Sequence, residues 1–101
     1  MDVELAQEQL EREIIQEMAG ALGRSAEKVV AALARLAAAR RDVDAAVDDS
    51  ARREAAARFN ACRADALRAR HELLIHREAV GIRRNDVLET EYPIPAALPL
   101  T

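Results

Sequence analysis

Residues 25–50, SAEKVVAALARLAAARRDVDAAVDDS, hold neither Gly nor Pro, and their larger apolar side chains Val29, Leu33, Leu36, Val43 and Val47 recur at steps of 4, 3, 7 and 4 residues. Steps of three and four stack side chains on one face of a helix, whereas a strand would alternate them. The spacing predicts a helix over about 26–47 with a heptad seam, Arg40 occupying the one core slot that carries no apolar residue. Ser25, followed by Glu27, reads as its N-cap with an acidic first turn.

Working upstream, Leu10, Ile14, Ile15, Met18 and Leu22 keep the helical period and predict a first helix over about 3–22, ended by Gly20 and Gly23, residues suited to a left-handed cap. Downstream, Phe59, Cys62, Ala66, Ala69, Leu73, His76 and Val80 alternate in steps of three and four and predict a helix over about 51–80. The preceding seam, carried forward, would instead place Glu54, Ala61 and Arg68 in core slots. That mismatch predicts a turn near Asp48-Asp49-Ser50 with Ser50 as the next cap. The alternative is one continuous helix from Ser25 to about Val80, since the turn has no Gly or Pro.

Gly81 followed by Ile82 reads as the stop of that helix, and Asp86 and Glu89 stand at capping-box spacing for a short turn of helix over about 86–91. From Tyr92 the chain reads YPIPAALPLT, in which Pro93, Pro95 and Pro99 exclude regular helix and hold their neighbours extended. The expected fold is therefore all-α. It is a three-helix antiparallel bundle or a long helical hairpin over 1–91, followed by an extended Pro-containing tail over 92–101.

Apolar residues make up 50% of the 101 positions but aromatics only 2%, so Ala supplies much of the apolar count and the core of this one-domain chain is thin. A Leu, Ile or Val contributes about 1.5–3 kcal/mol on burial and an Ala much less, which favours self-association. With 15 basic and 18 acidic side chains the net charge of -3 draws the chain to neither nucleic acid nor an anionic membrane. The start Met1-Asp2-Val3-Glu4 lacks the basic and apolar regions of a signal peptide, no apolar run reaches the ~18 residues of a membrane span, and Cys62 has no second Cys to pair with. The expected location is cytoplasmic.

Chemistry-bearing clusters are scarce. His71 and His76 are five residues apart and diverge on a helix, so they do not share a metal ion, and Glu72 with His76 reads as an i,i+4 ion pair. Cys62 sits on an apolar stripe with the nearest His nine residues away, the setting of a small hydrophobe rather than a nucleophile. There is no phosphate-binding glycine loop and no set of catalytic carboxylates, and no cofactor or metal is expected.

One pattern stands out: Arg63, Arg70, Arg77 and Arg84 recur every seven residues beside the seam of the last long helix. From Ser50 to Arg84 nine Arg face four acids, whereas from Met1 to Leu22 six acids face one Arg. The arginines are either a solvated face or a flank set against the acidic first helix, with Glu4, Glu8, Glu11 and Glu17 as partners. The tail residues Tyr92, Pro93, Ile94 and Pro95 either fold back over the chain's own helices or dock in a partner's groove. The function expected is a non-enzymatic helical protein–protein interaction module, an adaptor, small chaperone or scaffold subunit working as a homo- or hetero-oligomer. The alternatives are a nucleic-acid-associated protein using the basic helix, and a metal-carrying protein or enzyme whose site is shared between subunits.

Overall fold

The computed structural model describes residues 2–100; Met1 and Thr101, the outer ends of the expected helical region and tail, lie outside the described residues. The fold is all-α. Two long helices, α1 (Val3–Ala45) and α2 (Asp49–Ala79), lie side by side and antiparallel, followed by a short helix α3 (Val87–Glu91) and an extended tail. The whole measures 72 × 23 × 15 Å.

The expected division of the first half into two helices is overturned. α1 starts at Asp2, whose Oδ1 accepts from the Glu4 amide at 3.0 Å, and runs unbroken through Gly20, Gly23 and Ser25. Each interior Gly costs about 1 kcal/mol relative to Ala, but the helix on its C-terminal side is anchored to α2 strongly enough to offset that. Ser25, expected as a cap, is instead 1% exposed, its hydroxyl hydrogen-bonded to His76 Nδ1 of α2. Lys28 Nζ meets Glu72 Oε1 at 3.2 Å one turn further on, so Glu72 and His76 each bond across to α1 rather than to one another.

The seam also shifts from the one expected. Its buried positions on α1 are Ser25, Val29, Ala32, Leu36 and Ala39, again at steps of four and three, with Leu33 and Val43 packed at its edge. Counting only large side chains misses Ala32 and Ala39, where small residues leave room for Phe59 and Ala66 of α2 in the same cluster. Arg40 is consequently not a core residue; its Nε lies 3.3 Å from Asp44 Oδ1 on the exposed side. Val47, expected in the seam, lies beyond the end of α1 and is 92% exposed.

The turn falls where the clash of frames puts it, and the single-helix alternative is thereby excluded. α1 closes on Ala46, and the cap of α2 is Asp48 rather than Ser50, its Oδ1 accepting from the Ala51 amide at 2.7 Å. On α2 the expected stripe faces α1: Phe59, Ala66 and Leu73 are buried, and Cys62 and Ala69 pack at the margin. Gly81 ends the helix with φ 87, the Gly81 amide donating to Glu78 O and the Ile82 amide to Arg77 O, which together satisfy two terminal carbonyls. Asp86 precedes α3 but its side chain forms no cap bond, so the expected capping box is not made. α3 serves one side chain, Leu88, which is buried against Val29 and Leu73.

The two kinds of glycine make opposite predictions. Gly23 is helical, and a Cβ there meets nothing within 4 Å, so Gly23→Ala should stabilise by about 0.8–1.0 kcal/mol. Gly81→Ala forces a Cβ into a left-handed conformation and should cost about 1–2 kcal/mol. Urea unfolding of both variants checks the pair, and a Gly23→Ala chain less stable than the parent would show that α1 is bent or interrupted there.

Candidate interaction surface

The seven-residue arginine repeat has a partner, and it is the tail. Arg63 Nε donates to Pro95 O at 2.6 Å, and Arg70 Nη1 donates to Tyr92 O at 2.9 Å. Arg77 donates through Nε to Asn85 Oδ1 at 2.8 Å and through Nη2 to Arg84 O at 3.0 Å. Arg84 itself lies past the end of α2, largely exposed, with Nε 3.8 Å from Asp86 Oδ1. Three of the four arginines therefore form a ladder along one flank of α2, and the fourth belongs to the loop. Asn60, one turn before Arg63, extends the ladder: its Nδ2 donates to Leu98 O at 2.9 Å while the Leu98 amide donates to Asn60 Oδ1 at 2.8 Å.

Seven residues of α-helix advance about 10.5 Å, and three residues of extended chain about 9 Å. Arginines two turns apart thus meet backbone carbonyls three residues apart, Tyr92 and Pro95, without strain on either element. Pro93 and Pro95 carry no N–H, so this part of the tail offers acceptors and few donors, which a row of guanidinium donors matches. Ile94 and Leu98 then pack against the cluster of Leu36, Phe59 and Ala66. Tyr92 and Ile94 face the helices, whereas Pro93 and Pro95 stay exposed and border an apolar groove of about 480 Å³ lined by Leu33, Leu36, Phe59 and Ala96. The tail is folded back on its own chain.

Among the described residues, Arg63, Arg70, Arg77 and Arg84 form no ion pair with Glu4, Glu8, Glu11 or Glu17. Ser25 lies against His76 and Lys28 against Glu72, and the last residues of α2, Ala79 and Val80, lie beside Ile15, Met18 and Leu22. Antiparallel packing in that register leaves Val3–Ile14 past the end of α2, a single helix projecting by about 18 Å. Glu4, Glu8 and Glu11 sit on this projection, out of reach of the ladder. Among the described residues, the ion pair found there is Arg12 with Glu8 at 4.0 Å.

The projection is also where large apolar side chains lie open. Ile15 is 64% exposed, Leu10 56% and Ile14 46%, with Val3 and Leu5 further out. Continuing the buried seam backward from Ser25 gives Leu22, Met18 and Ile15, then Glu11, Glu8 and Glu4. The seam thus turns charged where α2 stops. Leu10 and Ile14, with Val3 seven residues before Leu10, share one face next to that seam, with Glu11 on one side of it and Glu13 on the other.

Elsewhere the structure assembles little chemistry. Among the described residues no three His, Cys, Asp or Glu side chains come together to hold a metal ion, and no helix is long and apolar enough to cross a membrane. Cys62 is half-buried against the core rather than fully enclosed. Asn60 and Asn85 contribute to the ladder without being legible as such in the sequence; for Asn60 the available signal is its position one helical turn before Arg63. No family model, curated protein or solved structure matches the chain.

The strap predicts its own mutants. Removing residues 92–101 should leave helicity unchanged but lower the melting temperature, because Ile94 and Leu98 no longer cover the core. Asn60→Ala, which leaves both polar groups of Leu98 without their protein partner, should cost about 1–2 kcal/mol in denaturant unfolding. An unchanged melting temperature on truncation would mean the tail does not hold the helices in solution.

Proposed function

We propose that the protein is a non-enzymatic helical interaction module, an adaptor, small chaperone or scaffold subunit, which binds other protein through the apolar face at the free end of α1. The hairpin of α1 and α2 with its tail strap is the rigid base, and the projecting helix is the working end. One observation carries this reading: Leu10 and Ile14, one turn apart on the same face, are exposed on the stretch of α1 that lies past the end of α2. Scattered exposed apolar residues are ordinary, but a clustered set on an unsupported helix marks a contact surface. Complete burial of a fully exposed Leu or Ile contributes about 1.5–3 kcal/mol, and Leu10 and Ile14, each about half exposed, gain part of that on being covered. The nucleic-acid alternative drew on the α2 arginines, and three of those are engaged with tail carbonyls or Asn85.

A photo-crosslinking residue placed at Leu10 in the source cell should yield discrete protein adducts, while the same group at exposed Arg35, on the strapped pair, should not. Equal labelling from both positions, or none from Leu10, would reject the free end of α1 as the contact surface.

A further inference from the structure

We infer that the partner of this surface is a basic amphipathic helix from another protein, with Lys or Arg flanking an apolar face, and not a second copy of the chain. The inference rests on the interaction reading above and adds the identity of what binds.

Val3, Leu10 and Ile14, at steps of seven and four, form an elongated exposed strip on the lone part of α1, the shape that a second helix covers by interdigitating its own side chains. What separates one occupant from another is charge. Residues 2–17 carry six acids and one Arg, a net of -5 within a chain whose total is only -3. Glu11 and Glu13 lie to either side of the strip's centre.

Suppose two copies paired through this strip in antiparallel fashion. Apolar pairing of Leu10 with Ile14 would put the two-fold axis near residue 12, and residues beside such an axis meet their own counterparts. Glu11 would then face Glu11, and Glu13 would face Glu13. A parallel pair fares no better, since every position meets itself and all the flanking acids repel. Like charges set opposite one another across a helix pair are a device against that pairing. A helix with basic flanks converts each of those contacts to attraction, and α1 supplies acids on both sides of the strip to receive them.

The test uses the full chain and two synthetic amphipathic peptides of about 18 residues, enough to match the projection. Both carry the same Leu and Ile face; one has Lys at the flanking positions and the other Glu. Fluorescence anisotropy should show saturable binding of the Lys peptide with one peptide per chain, weakening about tenfold or more as salt rises from low to above physiological strength. The Glu peptide should not bind, and light scattering of the chain alone should give the monomer mass. Ile14→Asp should weaken the Lys peptide about tenfold or more, and since Ile14 is exposed, circular dichroism should be unchanged. Exchanging Glu11 and Glu13 for Lys should reverse the preference toward the Glu peptide, a gain of binding that a misfolded variant cannot mimic.

Each contrary result has one meaning. A dimer of the chain alone that Ile14→Asp returns to monomer overturns the inference and leaves the interaction reading standing, with a second copy as partner. Equal binding of the Lys peptide to parent and Ile14→Asp overturns it as unspecific charge attraction. A monomer that binds neither peptide overturns the inference, while the crosslinking experiment at Leu10 decides the interaction reading by itself.

Discussion

Two helices packed side by side enclose a core from two directions only, and in this chain the third side is closed by residues 85–98, laid along α2 through Asn60, Arg63, Arg70 and Arg77. The need for that closure follows from the seam. Ala32, Ala39, Ala55, Ala56 and Ala66 bring the helices together but bury little area each, so Phe59, Val29, Leu36 and Leu73 carry most of the apolar burial. Leu88, Ile94 and Leu98 come from the returning segment to cover those few large side chains. Everything else in the structure, from the Gly81 stop that reverses the chain to the prolines that keep the tail from coiling into helix, serves that return path.

The ladder also shows how a charged repeat can be structural without an ion pair. Arg63 and Arg70 bond to carbonyls, which are neutral acceptors, so the contacts depend on geometry rather than on an opposite charge. A guanidinium offers five donors in a fixed plane, and Arg77 uses two of its nitrogens at once on Asn85 and Arg84 O. Lysine could not hold two acceptors in that plane. The single inter-helix ion pair among the described residues, Lys28 with Glu72, is exposed and contributes little beside these.

Unequal helix lengths divide the molecule into a supported and an unsupported part. α1 has 43 residues and α2 31, and the turn aligns them at one end, so the whole excess appears at the other. The stable base and the open end are consequences of one register. Residues 2–17 at the projecting end carry six acids and one Arg, so charge of one sign is concentrated there.

The amino-acid sequence by itself determines that the chain is helical, that Gly81 stops the second long helix and that the tail is extended; it favours a turn near Asp48-Asp49-Ser50 over one continuous helix, and the structure makes that turn with Asp48 as the cap. Those features rest on local causes: the three-and-four spacing of apolar residues, a capping carboxylate, a residue without Cβ, and prolines. Three matters were left to the tertiary structure. Whether a helix passes through Gly20 and Gly23 is a contest between about 1 kcal/mol per glycine and the anchoring of distant residues, with Ser25 against His76 and Leu22 beside Val29, Leu73 and Leu88. Which residues form the seam turns on alanines, since an Ala is equally at home in a tight core and on a solvated face. The partners of the arginine repeat could not be read either, because a seven-residue period names a flank of a helix and not what lies against it. The register of α1 on α2, set by packing across residues far apart in the chain, carries Glu4, Glu8 and Glu11 past the end of α2, while the tail carbonyls come to lie against Arg63 and Arg70.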